Sequence, residues 1–229
     1  MLQLENVTKS YRHRRGQVTA LDGADLTIDS GEFISLVGPS GSGKSTLLVM
    51  LGGMLSPTSG HVLLDGQSIY DLGANERARL RKAKIGFVFQ TFNLIPYLTA
   101  QENVQVPMCL NGVGAEEQTE RAVALLERMG LGDRLDHKPT ELSVGQQQRV
   151  ALARTLANDP ALILADEPTG NLDPETAEQI IRFFEQFHAE GRTIVMVTHD
   201  PRAAARAKRT LRLANGHIVH DESPSRVVA

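Results

Sequence analysis

Phe33-Ile34-Ser35-Leu36-Val37-Gly38-Pro39-Ser40-Gly41-Ser42-Gly43-Lys44-Ser45-Thr46 decides the architecture. Phe33 to Val37 is a short apolar run of the kind that forms a strand buried on both faces, and Ser45 to Leu51 reads as a helix. Between them, Gly38 to Ser45 fits G-x-x-x-x-G-K-[ST], in the strand-to-helix context that motif requires. The glycines let the backbone curl so that successive N–H groups point inward at phosphate oxygens, and the helix N-terminus adds its positive dipole end. Gly38, Ser40, Gly41, Ser42, Gly43, Lys44, Ser45 and Thr46 are therefore candidate nucleotide contacts. Lys44 is expected to reach the β- and γ-phosphates and the Ser45 hydroxyl to ligate Mg²⁺.

Outward from that loop, Ile85 to Phe89, Ala161 to Ala165 and Thr193 to Thr198 are further strand-like runs. They alternate with helical patterns at Thr119 to Met129, Gln146 to Ala157 and Pro174 to Glu190, which predicts an α/β layered fold with a mostly parallel sheet. Period-two runs such as Leu2, Leu4 and Val62, Leu64, with the turn pair Asp65-Gly66 after the second, predict an antiparallel β portion near the front. The stretch from about Gln90 to Lys138 lacks strong strands and carries turn signals at Asn111-Gly112 and Gly130 to Gly132. It reads as a helical lobe inserted into the α/β core.

The run Ala161 to Ala165 ends in Asp166-Glu167, at the strand end where open α/β sheets place their ligands. Asp166 suits the anchoring of Mg²⁺. Glu167, one residue on, is placed to polarise a water for in-line attack on a γ-phosphate, as general base. Leu142-Ser143-Val144-Gly145-Gln146-Gln147-Gln148-Arg149 precedes a helix, with Ser143 placed as an N-cap and Gly145 permitting close backbone approach. Ser143, Gly145 and Gln146 form a second candidate phosphate site.

Together these motifs resemble the ABC-type ATPases, over about Leu2 to Gly216. The resemblance implies an ABC ATPase fold: a P-loop NTPase core with a mostly parallel sheet, an antiparallel β portion and an inserted helical subdomain. It divides a single domain, 1–229, into a RecA-like core (1–90 and 139–229) and a helical subdomain (about 91–138) that extends into the signature helix. Tyr11 is similar to the aromatic residue that stacks on adenine. Gln90 resembles the glutamine that contacts Mg²⁺ and the attacking water and senses the permease. Asn171-Leu172-Asp173 resembles the loop that crosses the dimer interface, with Asp173 near the nucleotide, and His199 resembles the histidine that contacts the γ-phosphate. Glu167, His199 and Gln90 would be catalytic; Ser45, Gln90 and Asp166 would hold the metal. The family's signature usually carries Gly where this chain has Val144, a residue that resists a left-handed backbone.

The implied function is ATP binding and hydrolysis for a separate membrane permease, with two ATP molecules sandwiched in a homodimer that forms on ATP binding. Phe87 to Pro96 and Pro168 to Asp173 look most like the branch of macrolide exporters and lipoprotein-releasing transporters, and so imply an exporter. An ABC ATPase switch acting on a cell-envelope or cell-division complex without transport would use the same residues. A soluble ABC protein on ribosomes or DNA is a third class; a single cassette without a heptad run does not suit it.

Composition agrees with a soluble globular protein, at 41% hydrophobic and 22% charged residues, and the net charge of −3 offers no global positive field for nucleic acid. Basic runs at Arg12-His13-Arg14-Arg15 and from Arg77 to Lys84 read as a solvated loop and a solvated helix face. The single cysteine, Cys109, suits a reducing compartment. The opening Met1-Leu2-Gln3-Leu4-Glu5 shows no leader pattern, and no apolar run is long enough to span a bilayer. The expected location is cytoplasmic, peripheral on the inner face of the membrane.

Overall fold

The computed structural model describes residues 1–13 and 16–222. Along the strand Leu162–Asp166, Leu162 and Leu164 join one apolar cluster while Ile163 and Ala165 join another. Successive side chains of a strand point to opposite faces, so a run that is apolar throughout can be buried only if both faces of its sheet are covered.

In chain order the elements are β1 (Leu2–His13), β2 (Gly16–Ile28), β3 (Phe33–Val37), α1 (Lys44–Leu51), β4 (Ser59–Leu64), β5 (Gln67–Ser68), α2 (Ala74–Lys84), β6 (Ile85–Val88), α3 (Ala100–Leu110), α4 (Ala115–Arg128), α5 (Val144–Leu156), β7 (Leu162–Asp166), α6 (Pro174–Ala189), β8 (Thr193–Val197), α7 (Pro201–Ala204), β9 (Arg209–Ala214) and β10 (His217–Glu222). The central sheet has the order β10-β9-β3-β8-β7-β6, parallel from β9 to β6 with β10 antiparallel at the edge. The expected antiparallel portion is a second sheet, β2-β1-β4-β5. One face of the central sheet packs on α1 and this second sheet; the other packs on α5, α6 and the lobe helices α3 and α4. The lobe shares its apolar cluster with α5, α6 and that face of the sheet.

The basic run at 77–84 departs from the expected solvated face. Arg77 donates to the Leu72 carbonyl and Arg81 to the Gly53 carbonyl, Lys82 reaches the Leu110 carbonyl, and Lys84 pairs with Asp65. Helix α2 has no fully buried residue; Leu80 packs on the apolar cluster beneath it, and these cations add hydrogen bonds to neighbouring backbone. Of the other basic run, Arg14 and Arg15 lie outside the described residues. The strand expected to reach Phe89 ends at Val88, and Gln90 lies in the turn beyond it, exposed. Among the described residues no helix is long and apolar enough to cross a membrane.

Candidate active site

The loop between β3 and α1 takes its shape from how closely other backbone approaches it. A Cβ built at Gly38 would lie 2.1 Å from the Leu213 carbonyl oxygen, and one at Gly43 would lie 2.1 Å from that of Ala20, with φ of 151° and 105°. Only glycine fits both demands. The turn is closed by Ser42 N–H to the Pro39 carbonyl at 3.2 Å and tied to the β9–β10 connection by Gly216 N–H to the Ser42 carbonyl at 3.2 Å. Helix α1 begins with no side-chain cap and no acidic residue in its first turn. Its first N–H groups thus keep the positive end of the dipole open to an anion. The Lys44 ammonium donates to the Gly38 and Pro39 carbonyls at 2.9 and 3.0 Å, across the mouth of the loop.

Residues from three other segments converge on this loop. A cleft of about 460 Å³ is lined by the loop residues, Gln90, Asp166, Glu167, Val197 and His199. The Ser45 hydroxyl donates to Asp166 Oδ1 at 3.3 Å, so a hydroxyl and a carboxylate from facing elements stand together. This is a hard oxygen pair of the kind that Mg²⁺ takes, together with substrate phosphates.

Glu167 follows the end of β7 with φ of 48°, a left-handed backbone that costs a non-glycine residue about 1–2 kcal/mol. That strain is fixed in place by Glu167 N–H to the Val197 carbonyl at 3.0 Å and Gly170 N–H to the Glu167 carbonyl at 3.1 Å. Its carboxylate, 16% exposed, accepts from the His199 backbone N–H at 3.2 Å and meets His199 Nδ1 at 2.8 Å. With the proton on Nδ1 the ring is a donor, and the carboxylate is held twice by one residue, His199, two positions beyond the end of β8. The left-handed turn is what swings Glu167 away from Asp166, so that neighbouring carboxylates take different positions in the cleft.

Tyr11, Ser143, Gly145, Gln146 and Asp173 are not among the residues that line this cleft. Tyr11, 41% exposed, stands on β1 opposite Val18, with the Lys9 ammonium 5.3 Å from its ring centroid. Ser143 caps α5: its Oγ accepts from Gln146 N–H at 3.2 Å while Gln146 Oε1 accepts from Ser143 N–H at 2.8 Å. A capping serine spends an acceptor and keeps its hydroxyl proton, so it can still donate outward. Val144 is the first residue of α5 and is absent from the positive-φ positions, so valine costs nothing in backbone strain there. Gly145 answers a different need: a Cβ would lie 2.5 Å from Thr176 Cγ2 on α6. Asp173 caps α6, accepting from the Glu175 and Thr176 amides at 3.1 and 3.0 Å. Its contacts with Thr176, side chain and amide, lead the causes that hold its carboxyl below the ordinary range.

Three contacts escape a reading of the residues alone. Asn171 Nδ2 donates to the Gln90 carbonyl at 3.0 Å, Arg154 donates to the Phe92 and Asn93 carbonyls at 2.6 and 2.5 Å, and Gln148 Nε2 donates to the Pro168 carbonyl at 2.7 Å. Phe92 and Asn93 are left-handed, with φ of 55° and 50°, so Arg154 fastens a strained turn next to Gln90. For Gln148 the sequence offers no signal, because it stands in the polar run Gln146-Gln147-Gln148-Arg149 and only the fold buries it.

A protein-family model described as ABC transporter matches residues 21–170, most of the chain and the whole stretch from phosphate loop to Glu167. This chain belongs to the ABC transporter family. It is 49% identical to the ABC transporter ATP-binding protein YvrO of Bacillus subtilis, over 97% of each chain. It is 50% identical to the macrolide export ATP-binding/permease protein MacB of Syntrophobacter fumaroxidans, over 97% of this chain and 32% of that protein. It thus spans about one third of the length of the MacB relatives it matches. Among solved structures, the ATP-binding cassette MJ0796 superposes with a TM-score of 0.91 at 44% identity, over 97% of this chain and 98% of that one. That structure is a dimer in a post-hydrolysis state bound to ADP and Pi. The fold is that of an ABC ATPase cassette. The family match stops at Gly170, so Tyr11, Asp173 and His199 lie outside it.

Proposed function

We propose that this chain is the ATP-hydrolysing subunit of an ABC transporter, working as an ATP-closed dimer on the cytoplasmic face of a membrane beneath a permease carried by another chain. The observation that carries this reading is the convergence of the phosphate loop, Gln90, Asp166, Glu167 and His199 on one cleft. Relatives of about this chain's length, such as YvrO and YknY, are named as ATP-binding proteins, whereas MacB is named as both ATP-binding protein and permease. Those names support a separate permease and an exporter of the MacB kind.

In this reading Lys44 exchanges its two loop carbonyls for phosphate oxygens, and the loop amides hold the rest of the polyphosphate. Ser45, Asp166 and Gln90 would hold Mg²⁺, which when bound neutralises charge on the β- and γ-phosphates. Glu167 takes the proton of a water as its oxygen bonds to the γ-phosphorus, and the bond to the β–γ bridging oxygen breaks to release ADP. His199 steadies the Glu167 carboxylate through the 2.8 Å contact. Ser143 and Gly145 of one subunit complete the nucleotide site of the other, with Asp173 close by in the interface.

The purified chain should release phosphate from ATP, and Lys44→Ala should lower that rate by about 10²-fold or more, as removal of a preorganised charge contact does. A Lys44→Ala variant as fast as wild type would contradict the proposed site.

Adenine should rest on the face of Tyr11. A base–aromatic stack contributes about 1–3 kcal/mol, but the Lys9 ammonium already shares this ring at 5.3 Å, so the lower end applies. Tyr11→Ala should raise KM for ATP about fivefold with kcat nearly unchanged, and GTP should compete with ATP because stacking tolerates any purine. An unchanged KM would remove Tyr11 from the site.

A further inference from the structure

Gln148 is fully buried within α5, on the face that one turn later carries the buried Ala151 and Leu152. Its Nε2 donates to the Pro168 carbonyl at 2.7 Å, while its Oε1 is buried with no partner among the described residues. Burying an unpaired carbonyl is unfavourable, and an apolar side chain of the same length would avoid it. What such a side chain could not do is hold the Pro168 carbonyl. Pro168 is the residue immediately after Glu167, whose left-handed backbone is anchored by Val197 before it and Gly170 after it. The proline ring fixes φ at 168, and the Gln148 amide fixes the next carbonyl, so the segment that leaves the strained Glu167 is held from α5 while Glu167 itself is held from β8.

Resting on the reading of Glu167 as general base, we propose that Gln148 is a positioning residue for Glu167. Because α5 begins at Val144, one turn before Gln148, the same helix joins the Ser143–Gly145 tip to the placement of the base. A shift of the tip on dimer closure would be transmitted through one rigid helical turn to the Pro168 carbonyl.

The test compares wild type, Gln148→Met, Gln148→Glu and Glu167→Gln for kcat, KM for ATP and thermal midpoint, each across a range of pH. Gln148→Met keeps the volume and removes both the donor and the unpaired acceptor. It should lower kcat about 10- to 100-fold while KM stays within about twofold of wild type and the midpoint moves by only about 3 °C. In Gln148→Glu only the protonated carboxyl can donate to Pro168, and burial raises its pKa above the ordinary glutamate range. Activity relative to wild type should therefore be highest at mildly acid pH and fall as the pH rises. Gln148→Met with wild-type kcat beside an inactive Glu167→Gln would overturn the positioning role alone. A Gln148→Met whose KM and midpoint deteriorate in step with kcat would make Gln148 core filling and equally overturn it. A Glu167→Gln that hydrolyses near the wild-type rate would overturn the base, and the positioning role with it.

Discussion

Glu167→Gln should bind ATP as wild type does and hydrolyse it about 10² to 10⁴ times more slowly, roughly 3 to 5 kcal/mol of added barrier. The binding groups, Lys44, Ser45 and the loop amides, belong to the β3–α1 connection, and none of the hydrogen bonds that shape it involves Glu167. The substitution also spares the backbone: the φ of 48° and the bonds to Val197 and Gly170 are made by main-chain atoms. An amide can still meet His199 through its oxygen, so what is lost is the proton acceptor and little else. Rapid-quench measurement of a single turnover, beside equilibrium binding of a fluorescent ATP analogue, separates the two quantities. Binding that weakened as much as hydrolysis slowed would place Glu167 in ground-state contact with the nucleotide.

The second large effect concerns the loop itself. Gly38→Ala sets a Cβ 2.1 Å from the Leu213 carbonyl oxygen at a φ of 151°. A backbone atom of an inner strand cannot swing away as a side chain does, so either the loop or β9 must move. Strain at positive φ of about 1–2 kcal/mol adds to an overpacking cost of about 1–3 kcal/mol. The thermal midpoint should fall by roughly 5–15 °C for a chain of this size, and ATP affinity should be lost because the loop amides no longer converge. Gly41→Ala is the comparison: its φ is also positive, at 76°, but its Cβ would meet nothing within 4 Å, so only the strain applies. Differential scanning calorimetry on the two variants checks the difference, and equal losses would show that close approach to Leu213 is unimportant.

The α/β layering and the convergence of loop and acidic strand end were legible because both are written in runs of residue type. Phe33 to Leu36, apolar but for Ser35, and Leu162 to Ala165, apolar throughout, are buried at every position. The Asp65-Gly66 turn is there too, with both residues at positive φ. A second signal of the same kind, Asn215-Gly216 with φ of 48° and 81°, closes the β9–β10 hairpin. Val144 would be strained only on a left-handed backbone, and the position is helical; the need for glycine falls on Gly145 and comes from Thr176, a residue 31 positions away in sequence. The left-handed backbone of Glu167 had no local mark: it is set by Val197, Gly170 and Pro168, and glutamate has no preference for it. Contacts of this sort join distant segments by backbone carbonyls, which carry no side-chain identity to read. Arg154 on Phe92 and Asn93 and Gln148 on Pro168 are the clearest cases.

Sizing the Glu167→Gln chain by gel filtration with light scattering, with and without ATP and beside Lys44→Ala, tests most directly whether two ATP molecules close two copies of this chain. If Ser143 and Gly145 of one copy complete the site of the other, a chain that binds ATP and cannot cut it must accumulate as the closed dimer. Glu167→Gln should elute as a dimer with ATP and as a monomer without it, and Lys44→Ala as a monomer in both conditions. A Glu167→Gln chain that binds ATP and stays monomeric at millimolar concentrations would contradict the sandwich.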